Sequence, residues 1–292
     1  MAENTNAIPS NNRVLQCGAR FLHLDAPQVM GVLNVTPDSF SDGGALHQHG
    51  KPSLDKALIR VEQMLAEGAA IIDVGGESTR PGAEPVSLIE ELDRVVPVVE
   101  AITQRFETIV SVDTSSPDVM LAAADAGAGI LNDVRALERP RAIETAAKTG
   151  LPVCLMHMQG QPKTMQQSPD YKAVVNEVSY YLQSRADACI AAGIDRSRLL
   201  IDPGFGFGKS VEHNLSLLNH LSVLADLDYP VLVGLSRKSL IGKVLGRDVD
   251  QRLAGSLALA VLAAERGASI IRVHDVAETV DAVSLYSAVT AH

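Results

Sequence analysis

The sequence predicts an α/β fold, a single (β/α)8 TIM barrel, from three observations. Short runs rich in β-branched residues alternate with longer stretches of helical periodicity, which is typical of βα units around a parallel sheet. About eight such pairs occur, and the chain has 292 residues, a length that suits one barrel of this kind. Because no linker rich in Pro, Gly or Ser divides the chain, we expect one barrel domain over 13–292, after a polar tail at 1–12.

The predicted strands are apolar runs of the kind that a parallel sheet buries on both faces. They lie at 29–35, 70–75, 108–114, 129–134, 152–158, 198–204, 230–236 and 269–275. The predicted helices lie at 53–67, 87–104, 117–126, 140–149, 171–192, 212–225, 252–266 and 276–288. Ser53, Ser87 and Ser116 are candidate N-caps, and Pro117 suits a first helical turn. Residues 13–25 alternate weakly and predict a β-hairpin that closes the N-terminal end of the barrel.

Composition excludes several classes of function. Lys and Arg number 25 against 35 Asp and Glu, a net charge of −10, so we expect no broad attraction to nucleic acid or to a membrane surface. Five Phe, five Tyr and no Trp are too few for a platform that stacks bases. The polar N-terminus and the absence of a long apolar run predict a cytoplasmic protein. The scattered cysteines Cys17, Cys154 and Cys189 are expected to be buried rather than to form disulfides.

Nearly every predicted strand ends in a side chain that can take part in chemistry. In such a barrel these ends meet at one face, where active sites lie. An Asp or Asn at a strand end can also be a helix cap or an Asx turn, and Asp73 and Asp133 are the two that we most expect to be structural. The candidates are Asn34, Asp73, Asp113, Asn132, Asp133, His157, Asp202, Ser236, Lys238, Arg272 and His274.

Two patterns imitate known ligand sites. The segment GFGFGKS at 204–210 looks like a phosphate-binding loop, but Pro203 stands where that motif needs its first glycine. Lys209 likewise stands where a dinucleotide-binding turn needs its third glycine. The glycines instead predict a tight turn that brings the backbone or Phe207 close to a ligand. The histidines show no zinc-binding spacing, so we expect no tightly held zinc ion.

Longer stretches of the chain resemble the dihydropteroate synthase family of folate biosynthesis. MGVLNVTPDSFSDGG at 30–44 and IIDVGGESTRPGA at 71–83 are similar to its two signature segments. The likeness covers nearly everything from Val29 to the last helix. It continues in SVDTSSPDVM (111–120), ILNDVRAL (130–137), LMHMQGQPKTMQ (155–166), LIDPGFGFGKSVEHNLSLL (200–218), VGLSRKSLIG (233–242) and SIIRVHDV (269–276).

The resemblance implies a transferase that joins 6-hydroxymethyl-7,8-dihydropterin diphosphate to 4-aminobenzoate, forming 7,8-dihydropteroate and releasing diphosphate. The family's reaction is dissociative, which means that the carbon–oxygen bond breaks before the aryl amine attacks. No nucleophilic side chain is needed, because the protein supplies positioning and electrostatic stabilisation. The implied cofactor is Mg²⁺, the implied ligands are small molecules, and the implied assembly is a homodimer through the later helices.

The resemblance also implies a role for each site residue, because carboxylates and amides pair with a pterin edge and cations pair with phosphate. The pterin set is Asp113, Asn132, Asp202 and Lys238. The diphosphate set is Asn34, Thr79, Arg80, Arg272 and His274, and Asn34 is also the magnesium ligand. The 4-aminobenzoate set is Phe40, Asp42, Pro81, Phe207 and Ser239. Catalysis is assigned to Arg80, Lys238, Arg272 and His274.

Two long loops, 36–52 and 76–87, carry glycines and predict lids that close over bound substrate. Two alternative functions stay open. A pterin-binding methyltransferase domain of similar fold would keep the ring-binding residues but has no need of the diphosphate set. A non-catalytic paralogue would lack part of the site, and no position of the site is missing from this sequence.

Overall fold

The computed structural model describes residues 14–36, 54–77, 86–160, 165 and 169–292, together with the backbone of 47–48 and 51–52. Its strands in chain order are β1 (Val14–Cys17), β2 (Arg20–His23), β3 (Gln28–Asn34), β4 (His47–Gln48), β5 (Lys51–Pro52), β6 (Ile71–Gly75), β7 (Ile109–Asp113), β8 (Ile130–Asp133), β9 (Val153–Met156), β10 (Leu199–Asp202), β11 (Val231–Val233) and β12 (Ala268–Val273). Strands β3 and β6 to β12 form a closed barrel in which β12 pairs in parallel with β3. The predicted (β/α)8 fold is therefore confirmed.

Helices follow the barrel strands, as the periodicity predicts. They are α1 (Leu54–Ala66), α2 (Leu88–Arg105), α3 (Pro117–Asp125), α4 (Ala142–Thr149), α5 (Val174–Ala191), α6 (Val211–Asn219), α7 (Leu221–Ala225), α8 (Ser239–Leu245), α9 (Leu253–Glu265) and α10 (Val276–Thr290). The single helix predicted over 212–225 is wrong, because His220 leaves the helical conformation and separates α6 from α7. The short helix α8 was not among the predicted helices.

The helix caps follow the sequence in part. The Ser87 side chain accepts a hydrogen bond from the backbone N–H of Glu90 and caps α2, as predicted. Ser116 precedes α3 but makes no side-chain cap bond, so Pro117 starts that helix without it. The candidate cap Ser53 lies outside the described residues.

The N-terminal hairpin closes one end of the barrel, as predicted. Strands β1 and β2 pair antiparallel around Gly18, whose φ is +62°. Leu15, Cys17 and Leu22 from the hairpin pack in one buried cluster with one side chain from each barrel strand. Those eight side chains are Met30, Ile71, Ile109, Ile130, Cys154, Leu200, Leu232 and Ile270. Because this cluster fills the N-terminal end, any ligand site is directed to the opposite face.

The other core lies between the strands and the surrounding helices, where one cluster of buried side chains extends around the barrel. All three cysteines are free and buried, which confirms the prediction for Cys17, Cys154 and Cys189. Within the described part of the chain, no helix combines the length and apolar character that crossing a membrane requires.

Candidate active site

Register alignment brings three polar residues and one glycine, from four neighbouring strands, into one row at the C-terminal face of the barrel. Asn34 on β3 aligns with Gly75 on β6, Gly75 with Asp113 on β7, and Asp113 with Asn132 on β8. A Cβ atom added to Gly75 would lie 3.5 Å from the Asp113 Cβ and 3.6 Å from the Asn34 Oδ1. The glycine therefore leaves a gap between the Asn34 amide and the Asp113 carboxylate.

Arg272 on β12 joins two carboxylates of this face. Its Nε lies 2.6 Å from Asp73 Oδ2 and its Nη2 lies 3.1 Å from Asp113 Oδ2. Asp73 is fully buried, and it also accepts a hydrogen bond of 3.3 Å from the Asn132 Nδ2. Asp73, which the sequence left as a candidate structural residue, thus links Arg272 to Asn132. This link holds two residues of the predicted site in place.

Burial dominates the electrostatics of the carboxylates. It raises the pKa of Asp113 to about 7, against the opposing attraction of Arg272, and the charge on Asp73 raises it further. Burial also raises the pKa of Asp202, which Lys238 opposes. The same desolvation lowers the pKa of Lys238 to about 8, against the attraction of Asp202. Because Asp113 and Asp202 are almost fully buried, their charges interact strongly with the neighbouring cations.

Lys238 stands beside the segment that follows β10. Its Nζ donates a hydrogen bond to the Phe205 carbonyl and lies 4.7 Å from the centre of the Phe207 ring. A Cβ atom added to Gly234 would lie 3.8 Å from the Lys238 Nζ and 3.9 Å from the Arg272 Cβ. The structure therefore brings Lys238, Arg272 and Phe207 to the same region, and the exposed Ser239 begins α8 next to it.

Asp202 ends β10 and is buried at the base of this region. One of its oxygens, Oδ1, accepts a hydrogen bond of 2.7 Å from the backbone N–H of Gly204. Only 6% of the residue's surface is exposed. The fixed carboxylate therefore retains its other oxygen for a ligand edge.

His274 is oriented by Ser236, which lies two residues before Lys238 in the chain. The Ser236 hydroxyl lies 3.1 Å from the His274 Nδ1 and accepts a hydrogen bond of 3.2 Å from the His274 backbone N–H. Close by, Arg237 forms an ion pair with Asp275 in which Nε lies 2.9 Å from Oδ2. These contacts tie the end of β12 to the loop after β11, so His274 and Lys238 are positioned by one set of bonds.

Asp133 has the structural contacts expected of it. Its carboxylate accepts hydrogen bonds from the Ser115 hydroxyl and from the backbone N–H groups of Arg135 (2.9 Å) and Leu137 (2.8 Å). Leu137 has a φ of +58°, an uncommon conformation for a residue with a side chain. The carboxylate thus stabilises the turn after β8 and is occupied by that role.

The glycine segment 204–210 is not a phosphate-binding loop. The ammonium of Lys209 is turned inward, with 2% of the residue exposed, and lies 2.9 Å from the Gly204 carbonyl and 3.0 Å from the Phe207 carbonyl. It also lies 2.9 Å from the His157 Nδ1. Burial lowers the pKa of Lys209 to about 7 and that of His157 to about 3. Sequence reasoning assigned His157 no role and treated Lys209 only as a motif mismatch.

Part of the predicted site lies outside the described residues. This part comprises most of the two predicted lids and the residues Phe40, Asp42, Thr79, Arg80 and Pro81. The structure does bring together Asn34, Asp113, Asn132, Asp202, Phe207, Lys238 and Arg272, with Ser239 and His274 at adjoining positions.

Comparison with known proteins identifies relatives over almost the whole chain. The family described as "Pterin binding enzyme" matches residues 30–274. The dihydropteroate synthase of Haemophilus influenzae is 56% identical over 274 residues, which cover 94% of this chain and 98% of that protein.

Solved structures agree with the sequence comparison. The dihydropteroate synthase of Yersinia pestis, in complex with a sulfonamide drug, has a TM-score of 0.91 and 55% identity, and covers 96% of this chain and 100% of that one. The dihydropteroate synthase of Xanthomonas albilineans with 4-aminobenzoic acid has a TM-score of 0.90 and 51% identity, covering 96% of this chain and 99% of that one.

Proposed function

The chain belongs to the pterin-binding enzymes and, within them, to the dihydropteroate synthase family, and on this premise we propose how its residues hold the substrates. It is a transferase that joins 6-hydroxymethyl-7,8-dihydropterin diphosphate to 4-aminobenzoate, forming 7,8-dihydropteroate and diphosphate. The observation that carries the assignment of roles is the set of carboxylates and cations at the C-terminal face. Asp73, Asp113 and Asp202 are buried there, and Lys238 and Arg272 are partly buried beside them.

The pterin ring is bound by Asp202, Asp113 and Asn132. A pterin presents an N–H beside an exocyclic amine, and a fixed carboxylate accepts from both in the manner of an Arg–carboxylate pair. Asp202 suits this edge because Gly204 orients its carboxylate. Asp113, with a pKa of about 7, and Asn132 each offer donors as well as acceptors to the remaining ring nitrogens. A wrong heterocycle would leave these buried groups unpaired, which gives the pocket its specificity.

The diphosphate is bound by Arg272 and His274, together with Thr79 and Arg80. Arg272 uses Nε and Nη2 for its carboxylates. Among the described residues its Nη1 has no hydrogen-bond partner, and it remains for a phosphate oxygen. One guanidinium then contacts both the ring pocket and the leaving group. Charge developing on the diphosphate is neutralised where it forms.

Magnesium is the cofactor that fits the donors at this end of the site. Among the described residues, no three His, Cys, Asp or Glu side chains form a group that would hold an ion by themselves. The Asn34 amide oxygen instead borders the gap left by Gly75, and a neutral oxygen ligand suits an ion that takes its other ligands from substrate phosphate and water. When bound, Mg²⁺ supplies positive charge at the diphosphate.

The reaction is dissociative in this proposal. The carbon–oxygen bond to the diphosphate breaks, its electron pair leaves with the diphosphate, and the pterin carries the resulting cation. The aryl amine then forms the carbon–nitrogen bond with its lone pair, and the nitrogen releases one proton to the diphosphate or to solvent. Lys238 lies against the pterin and the incoming amine, and it also fixes the Phe205 carbonyl. The protein's role is to orient the two reactants and to stabilise separating charges, so a nucleophilic side chain is not required.

The 4-aminobenzoate site is formed by Phe207 and Ser239 with Phe40, Asp42 and Pro81. The Phe207 ring is half-buried and faces Lys238, so it offers an apolar wall to the benzene ring. Ser239, exposed at the start of α8, offers a hydroxyl and a backbone N–H to the carboxylate of the substrate.

We also propose a homodimer through the later helices and a cytoplasmic location. Exposed apolar side chains on α10, Leu285 and Val289, each 68% exposed, support an interface there. Leu285→Glu is expected to lower the mass measured by light scattering from that of a dimer to that of a monomer.

The state of the cysteines supports the cytoplasmic location. Three free, buried cysteines suit a reducing compartment.

The direct test is to incubate the protein with Mg²⁺, the pterin diphosphate and 4-aminobenzoate, and to measure dihydropteroate by mass spectrometry. We expect product to appear with wild type and to fall sharply when Mg²⁺ is chelated. Asp187→Asn, a change on the exposed face of α5, is the matched control and should not alter the rate. Pterin binding without product would favour a non-catalytic paralogue. Transfer of a methyl group from a methylated folate would favour the methyltransferase alternative.

A further inference from the structure

The segment Gly204–Gly208, between β10 and α6, is held by two lysines. Lys238 donates to the Phe205 carbonyl and lies against the Phe207 ring. Lys209 donates to the carbonyls of Gly204 and Phe207 at 2.9 and 3.0 Å. The same five residues therefore contact a lysine of the proposed catalytic set and a buried lysine to which the proposed reaction gives no role.

Lys209 also joins this segment to the loop after β9. Its ammonium lies 3.3 Å from the His157 carbonyl and 2.9 Å from the His157 Nδ1, so four acceptors surround three N–H donors. The two loops approach so closely that a Cβ atom at Gly204 would lie 1.9 Å from the His157 carbonyl oxygen. Without a cation between them, these carbonyls would face one another without donors, in a site closed to water.

Other contacts support the same junction. The neutral His157 ring packs edge-on against Tyr181 at 4.9 Å, which fixes the orientation of its Nδ1. Tyr171 donates a hydrogen bond of 2.9 Å from its hydroxyl to the Gly208 carbonyl. The junction is therefore built from several elements rather than from a single surface contact.

We propose that Lys209 is a positioning residue, which fixes segment 204–208 and through it the ammonium of Lys238 and the ring of Phe207. The inference rests on the proposed function, in which these two groups meet the pterin and 4-aminobenzoate. Lys209 acts through the segment and touches neither substrate. Asp202, which holds the pterin edge, is oriented mainly by Gly204 at the start of the segment.

The test variant is Lys209→Met, which keeps the length of the side chain and removes its donors and charge. A displacement of about 1 Å at a reacting group costs on the order of 10²-fold in rate. We therefore expect kcat to fall by roughly 10- to 100-fold and the KM for 4-aminobenzoate to rise several-fold. The affinity for a pterin without diphosphate should also fall, but by clearly less than kcat, because the segment includes Gly204, whose N–H orients Asp202. A loss of pterin affinity as large as the loss of kcat would overturn the proposal, because Lys209 would then act mainly through Asp202.

A double-mutant cycle separates positioning from general destabilisation. If Lys209 acts through Lys238, Lys209→Met should lower kcat/KM by less than about 3-fold in a Lys238→Met background. An equal fold-loss in both backgrounds would refute the proposal. Leu224→Ala, a change at a fully buried position on α7, is the control for lost stability and should not affect kcat. Tyr171→Phe, a milder loosening of the segment, gives the same test if Lys209→Met does not fold, with an expected loss of several-fold.

A second readout does not depend on the activity. The chain contains no tryptophan, so Phe207→Trp places a single indole on the segment. We expect Lys209→Met to increase acrylamide quenching of this indole several-fold, and Leu224→Ala to leave it unchanged. Unchanged quenching in the Lys209 variant would refute the positioning role. Failure of wild type to form dihydropteroate would refute the proposed function and leave the quenching result standing.

Discussion

Replacement of Asp113 by Asn is expected to stabilise the fold while impairing the site. Asp113 is 8% exposed, and burial raises the pKa of its carboxyl to about 7 even though Arg272 lies 3.1 Å away. An acid whose pKa is raised on folding binds its proton more tightly when folded, so it costs stability at every pH at which the unfolded carboxyl is ionised. Asn resembles the protonated form, and it removes that cost.

The magnitude follows from the pKa difference. The unfolded carboxyl has a pKa near 3.8 and the folded one near 7, and each unit corresponds to about 1.36 kcal/mol. The wild type therefore loses stability as pH rises through the window from about 4 to about 7. The excess stability of Asp113→Asn should be on the order of a few kcal/mol, and it should be larger at pH 8 than at pH 6.

Urea unfolding followed by circular dichroism at pH 6 and pH 8 measures this difference. The exposed change Asp187→Asn is the control and should shift the free energy of unfolding by less than about 0.5 kcal/mol at either pH. In parallel, calorimetry should show weaker pterin binding by Asp113→Asn. A variant that is less stable than wild type at pH 8 would refute the reasoning, because the carboxylate would then stabilise the fold through Arg272 by more than its burial costs.

Three further predictions concern the substrates. Arg272→Ala is expected to slow turnover by ~10²-fold. It should also lower the free energy of unfolding by about 3 kcal/mol, because Asp73 is left buried without its cation. Lys at this position should restore activity only in part, and an Ala variant with unchanged stability would contradict the ion pairs. Asp202→Asn should cost roughly 2–4 kcal/mol of transition-state stabilisation, whereas near-native pterin affinity in calorimetry would remove Asp202 from the ring edge. Labelled 4-aminobenzoate should bind tightly only after the diphosphate and Mg²⁺, and equal binding to the free enzyme would exclude this order.

The strand positions and the face of the site were predictable because both depend on local pattern. Apolar runs of parallel strands, helical periodicity and polar strand ends each appear in a few consecutive residues, and the closed barrel then determines which ends meet. Their place at strand ends is what predicted the site residues Asp113, Asn132 and Asp202. The break at His220 escaped prediction because it interrupts a continuous periodic pattern without a proline or glycine.

The partners of Arg272 were not predictable, because they come from distant parts of the chain. Asp73 and Asp113 lie 199 and 159 residues away from it. Only closure of the barrel, in which β12 pairs with β3, brings Arg272 to the side of the barrel that carries β6 and β7. The role of Lys209 was hidden for a different reason. Its inward orientation depends on the close approach of two loops that follow different strands, and no motif describes that approach.

The distribution of charge in the site favours bond breaking over tight ground-state binding. Two buried carboxylates, Asp113 and Asp202, line the proposed ring pocket, and Asp73 lies buried behind them against Arg272. The cations Arg272 and Lys238 accompany them. In the proposed reaction, positive charge develops on the pterin beside the carboxylates while negative charge moves to the diphosphate and its cations. Both changes are stabilised only as the carbon–oxygen bond lengthens, and interactions of that kind raise kcat rather than lower KM.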